Sequence, residues 1–159
     1  MDGTRVMLRP SRRLLAAVTV AVVAVGLVST AYAFHLLGPG PPNCSVRPNG
    51  LANTVIFTVV MSNEAFNVGF NGSKYHPSSW PVMNVSLGQN VVIHVWNNDS
   101  SQAHGFTVAR YFDSGLTLSP GNCFDVRFVA NQPGSFNVFC QIFCTIHLFM
   151  QSGRLNVNP

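Results

Sequence analysis

Apolar positions along this chain obey two different rules. Over residues 14–37 they are nearly continuous, mostly Leu, Ala and Val with no charged residue, whereas from Thr54 onward they come in short runs that stop at Gly, Pro or Asn. The first rule predicts an apolar helix that would extend ~36 Å, enough to cross a bilayer core. The run Gly38-Pro39-Gly40-Pro41-Pro42 cannot continue it, because proline lacks the amide donor, and reads as a short stiff linker.

The second rule predicts strands. Residues 54–60 (TVIFTVV) are β-branched and read as a buried strand; Phe66, Val68 and Phe70 alternate as a second, closed by an Asn71-Gly72 turn. Residues 75–81 read as a loop, and 82–87 run into a turn at Gly88-Gln89-Asn90. The clearest strand is 91–96, followed by a polar loop over 97–101 and further strands at 103–109, 123–130, 135–140 and 153–157. About eight short strands with no convincing soluble helix indicate an all-β chain folded as a β-sandwich. The expected organisation is a basic flank at 1–13, a membrane anchor or signal segment at 14–37, a linker at 38–53 and one domain at 54–159.

Composition narrows the class. Hydrophobic residues make up 47% and charged residues only 9%, far below the usual quarter, which is unlike a disordered tail or a cytosolic enzyme surface. The formal charge of +4 is local: Arg5, Arg9, Arg12 and Arg13 stand against Asp2 ahead of the apolar run, and the remainder is nearly balanced. The basic excess therefore belongs to a targeting flank, not to a nucleic-acid-binding face. Arginines before an apolar helix keep the N-terminus cytoplasmic and place the rest outside, membrane-anchored. A competing reading is a signal peptide cleaved after Ala31-Tyr32-Ala33, giving a secreted domain, and Arg12-Arg13 is a twin-arginine hint. All three readings put the domain on the extracytoplasmic side. There, Cys44 and Cys123, both remote from the cysteine-rich loop near the C-terminus, are expected to pair in a disulfide. Asn43, Asn71, Asn84 and Asn98 begin N-x-Ser sequons compatible with that exposure.

The densest chemistry lies in residues 134–157, GSFNVFCQIFCTIHLFMQSGRLNV, where Cys140, Cys144, His147 and Met150 fall within eleven residues. Thiolate, imidazole and thioether together select copper, since sulfur stabilises Cu(I) while nitrogen keeps Cu(II) accessible. An ordinary Cys140–Cys144 disulfide and a two-Cys, two-His zinc site are the alternatives. Phe139, Phe143, Leu148 and Phe149 are expected to exclude water from the loop. No general base, nucleophile or open coordination position is evident, so the site reads as an electron relay rather than a place where a substrate is transformed.

The run from Pro133-Gly134 through a strand ending on Cys140, then Cys-x-x-x-Cys, His and x-x-Met, resembles the copper-A loop of subunit II of haem-copper terminal oxidases and of nitrous oxide reductase. Gln102-Ala103-His104-Gly105-Phe106-Thr107-Val108 resembles the upstream ligand segment, and Leu118-Ser119-Pro120-Gly121 the connection after it, so the likeness covers roughly residues 54–157. It implies a Greek-key β-sandwich of cupredoxin type. The implied ligands are the side chains of His104, Cys140, Cys144, His147 and Met150, with the backbone carbonyl of Ile142. Two copper ions would be bridged by the thiolates, one histidine would complete each, and Met150 and Ile142 would be weak axial ligands. The implied partners are the catalytic subunit of a haem-copper (cytochrome c) oxidase in a respiratory chain, and a donor such as cytochrome c or a small copper protein. The chain departs from the family at one point: only Thr145 and Ile146 separate Cys144 from His147, where the family has three residues. From Cys144 onward the loop also resembles amicyanin-like single-cysteine loops, which implies one copper in a freestanding blue or red copper carrier. A copper-delivery protein is the third reading. His35, His76 and His94 are not expected to bind copper, and Trp80 and Trp96 read as packing residues.

Overall fold

The computed structural model describes residues 11–33, 43–50, 52–64 and 67–159, and the chain divides into two units, residues 1–40 and 41–159. In the first unit α1 spans Arg12–Ala33. Its Val18, Val20, Val22, Val23, Val25, Leu27 and Val28 are all exposed, as expected of a helix apolar on every side. Among the described residues no helix is long and apolar enough to cross a membrane, and the expected anchor or signal segment over residues 14–37 extends beyond them. Residues 34–37, the expected linker at 38–42, the start of the basic flank at 1–10, Leu51 and Phe66 lie outside the described residues.

The second unit is a sandwich of two mixed sheets. Its strands are β1 (Thr54–Glu64), β2 (Asn67–Phe70), β3 (Val82–Ser86), β4 (Asn90–Asn97), β5 (His104–Val108), β6 (Phe112–Leu118), β7 (Cys123–Val129), β8 (Gly134–Phe139) and β9 (Gly153–Asn158). One sheet has the order β2-β1-β4-β7 and the other β3-β9-β8-β5-β6. Two pairings are parallel, β1 with β4 from Thr54↔Asn90 to Met61↔Asn97, and β3 with β9 from Val82↔Arg154 to Ser86↔Asn158. Between the sheets Val59, Met61, Phe70, Ile93, Val95, Phe106, Val138 and Leu155 are fully buried, and Phe70 meets Phe106 edge to face at 5.8 Å. The period-two pattern explains which residues point inward, because alternate Cβ atoms leave opposite faces of a strand.

Three local features depart from the expectation. β6 is an additional strand: FDSGLTL carries Asp, Ser and Gly in its first half, and it forms because it is an edge strand, half exposed and paired only to β5. β1 runs on to Glu64, and its first five residues are half-buried rather than buried. β4 is covered on both faces, since His94, on the face away from the core, is also buried. Its Nδ1 lies 2.7 Å from Asp125 Oδ1, the residue opposite it on β7, and its Nε2 donates to the Cys44 carbonyl at 2.9 Å. The segment at 43–50 is held there as well by the Cys44–Cys123 disulfide, with Cα atoms 5.5 Å apart.

Candidate metal centre

Strand pairing brings the two halves of the site together. β5 begins on His104 and pairs antiparallel with β8, Thr107 opposite Phe139, so Cys140 leaves the sheet beside the start of β5. The Gly105 amide donates to Cys140 Sγ at 3.2 Å. From there the chain loops out and returns: the Cys140 amide donates to the Met150 carbonyl at 2.8 Å, and Gln151 Nε2 donates to the Cys140 carbonyl at 2.9 Å. Inside the loop the His147 amide donates to the Cys144 carbonyl at 3.1 Å, opening a 3-10 turn over His147–Met150. Thr145 and Ile146 are thus the centre of one tight turn, which is how a two-residue spacing still brings His147 back toward Cys144.

Both sides of the loop are clamped to the sheets. Gln102 Oε1 accepts from Thr145 Oγ1 at 2.8 Å; Gln141 Oε1 accepts from Thr107 Oγ1 at 2.9 Å, while its Nε2 donates to the Leu116 carbonyl at 2.6 Å. Ser73 Oγ donates to the Phe149 carbonyl. Gly69, at φ +83°, lies beneath that contact: a Cβ there would stand 2.7 Å from Phe149 O and 2.8 Å from Phe149 Cβ. A side chain at this position would push the 3-10 turn off β2, so glycine is needed for the close approach as well as for the backbone angle.

The ligand atoms of Cys140, Cys144 and His147 lie within 4.8 Å of one another, the first two buried and the third half-buried. Met150 is fully buried with Sδ 4.0 Å from Cys144 Sγ, and the Ile142 carbonyl accepts from Cys140 Sγ at 3.0 Å. His104 does not belong to that three-residue cluster, although it is fully buried and the next residue touches Cys140. Its Nε2 donates to Asp99 Oδ2 at 2.8 Å, and its Nδ1 is buried without a hydrogen-bond partner among the described residues. An unpartnered buried nitrogen is costly, and a metal is one group that satisfies it.

The electrostatics point the same way. Burial, and next the adjacent Cys140, push the Cys144 thiol up to about 11. A cation beside Cys144 would favour its thiolate and offset that shift. Burial alone would raise Asp99, but hydrogen bonds from the Ser101 amide, His104 and the Gln102 amide carry its carboxyl below the ordinary 3.8.

Cys140 and Cys144 are free thiols, so the alternative of an ordinary disulfide between them is not realised. A thioether against the second thiol is outside the usual zinc ligand set and favours a softer ion. The expected apolar seal differs in detail. Phe143 and Leu148 are 92% and 82% exposed and Phe149 is exposed as well, whereas Ile142 and Ile146 pack on the core instead. His94 is engaged with Asp125 and Cys44, and His76 stacks on Trp80 at 4.2 Å. The sequence alone names no partners for the two candidate imidazoles, His104 and His147. The structure supplies Asp99 for His104 and, for His147, Gln151, whose Nε2 is 3.4 Å from Nδ1. The one signal for Asp99 was a single acid inside the Asn97–Ser101 polar run.

No family model matches the chain. Among solved structures it is similar to a multicopper oxidase, with 18% identity and a TM-score of 0.53 over 71% of this chain and 46% of that one. It is also similar to a copper nitrite reductase from Nitrosomonas europaea, with 21% identity and a TM-score of 0.51 over 67% and 42% of the two chains. A laccase from Botrytis aclada matches with 20% identity and a TM-score of 0.53 over 74% and 24%. This chain spans less than half the length of each. At such identity the likeness shows the fold, a two-sheet sandwich of cupredoxin type.

Proposed function

We propose that this chain binds copper at the end of its sandwich and works as an electron-transfer domain, with a dinuclear copper-A-like centre as the finer reading. One observation carries it: the ligand atoms of two buried thiols and a half-buried imidazole converge to within 4.8 Å of one another. Copper, when bound, supplies a one-electron couple. The chain's own task is to hold the ligands still. Cys140 and Cys144 would hold the metal as thiolates, His147 and His104 would be the imidazole donors, and Met150 and the Ile142 carbonyl would be weaker donors. The loop's return bonds and its glutamine clamps restrict rearrangement of that set between oxidation states. The named neighbours, copper oxidases and a copper nitrite reductase, accord with the metal.

In this reading the domain accepts electrons from cytochrome c or a small copper protein and passes them to the catalytic subunit of a haem-copper oxidase. The disulfide supports an extracytoplasmic position, since such bonds persist in oxidising compartments. A second reading, a mononuclear carrier, is favoured by one observation, that His104 stands outside the convergent three.

The test is to load the full chain with copper and measure metal per protein together with the electron paramagnetic resonance spectrum. Two coppers sharing one unpaired electron over two equivalent nuclei support the dinuclear reading. One copper with a single-nucleus pattern overturns it in favour of the mononuclear carrier, and a chain that takes up no copper overturns both. Co-purification with a haem-containing subunit tests the partner assignment.

A further inference from the structure

The β4–β5 loop is built around one carboxylate. Asp99 and His104 are both fully buried in their side chains, and Asp99 Oδ2 faces His104 Nε2 at 2.8 Å. The other oxygen, Oδ1, accepts from the Ser101 amide at 2.8 Å, from Ser101 Oγ at 3.2 Å and from the Gln102 amide at 3.0 Å. Asn97 fixes the loop from below: its Oδ1 takes the Asp99 amide at 3.0 Å, and its Nδ2 donates to the carbonyls of Gln102 at 2.8 Å and Leu118 at 2.9 Å. The carboxylate therefore has no freedom to rotate away from the imidazole.

We infer that Asp99 is the positioning residue that makes Nδ1 the ligating atom of His104 and sets a fixed negative charge behind that ligand, which favours the oxidised metal. This rests on the copper reading above. A carboxylate accepts and does not donate, so the proton of a neutral His104 must sit on Nε2. Nδ1 is left with a free lone pair, and it is the one buried ring nitrogen without a partner among the described residues. His147 is backed differently, by the neutral amide of Gln151 at 3.4 Å. The two imidazoles thus differ in electrostatic support, one anionic and one neutral, and the charge behind His104 would favour the oxidised state of the centre as a whole.

Asp99→Asn is the discriminating change. Asn keeps an oxygen for the Ser101 and Gln102 amides but turns an NH2 toward His104 Nε2, which then becomes the acceptor and moves the ring proton to Nδ1. Nitrogen-15 NMR of the metal-free full chain should show His104 as the Nε2–H tautomer, and the variant, with unchanged circular dichroism, as the Nδ1–H tautomer. Copper(II) affinity should fall 10- to 100-fold in the variant. Each tenfold loss confined to the oxidised form raises the one-electron potential by about 59 mV. An Nδ1–H tautomer in the unaltered protein overturns the inference without any variant. A folded variant with reversed tautomer but unchanged affinity and potential also overturns it, leaving Asp99 a structural residue. If neither protein binds copper, the functional reading fails and the charge assignment with it, while the tautomer result still decides the geometry.

Discussion

Removing the Cys44–Cys123 bond should cost this domain a large fraction of its stability. The residues joined are 79 apart in sequence, and the chain-entropy relation assigns a loop of that size about 4.5 kcal/mol at 25 °C. Domains of this class are stable by only about 5–15 kcal/mol, so the Cys44→Ala/Cys123→Ala pair should sit near the edge of folding. The segment at 43–50 would then be held to β4 chiefly by the His94 bond to the Cys44 carbonyl. The measurement is urea denaturation of the metal-free full chain, followed by fluorescence of Trp80 and Trp96 and by circular dichroism. Metal must be absent because bound copper adds its own mass-action stabilisation. With a denaturant slope near 2 kcal/mol/M, the midpoint should fall by about 2 M, and the slope should rise as the uncrosslinked denatured chain exposes more surface. A loss below about 1 kcal/mol with an unchanged slope would refute the reasoning, since it would mean that the bond constrains neither the denatured chain nor the cover over β4.

Three further outcomes follow from the site and the core. Gly69→Ala puts a methyl against the Phe149 backbone at a positive φ, so it should destabilise the fold by about 1–3 kcal/mol and weaken copper binding, measured by denaturation and by competition with a chelator. Cys144, pushed up to about 11, carries its proton at neutral pH; copper displaces it, so at least one proton should be released per centre and affinity should rise with pH. Calorimetry in buffers of different ionisation enthalpy reads that release directly, and none at pH 7 would rule Cys144 out as a thiolate ligand. Phe106→Ala removes a fully buried ring packed on Phe70 and should cost about 3–5 kcal/mol in the same urea assay.

What could be read from the sequence depended on how local each signal was. The strand over 91–96 was plain because Val and Ile recur on both faces of a centre strand, and β4 spans Asn90–Asn97. β6 was hidden because edge strands tolerate Asp113, Ser114 and Gly115, whose types say turn. Cys140, Cys144, His147 and Met150 were legible as a group since their spacing alone places them in one loop. Their surroundings were not. Asp99 becomes His104's partner only through the path of the β4–β5 loop, and Gln102 and Gln141 become clamps only when β5, β6 and the ligand loop are adjacent. The outward placement of Phe143 and Leu148 likewise depends on a turn whose phase no hydrophobicity pattern specifies.

The parallel pairing of β3 with β9 has a consequence for biosynthesis. Val82 must wait for Arg154, and Val85 for Val157, before either strand finds that neighbour, so the second sheet closes only after β9 has left the ribosome. The loop that carries Cys140, Cys144 and His147 returns to the sheet immediately before β9, so it takes shape late in the folding of the domain. Such distant pairings are slow to form, and a nascent chain exposes Cys140 and Cys144 to the solvent before β9 has found its place beside β3.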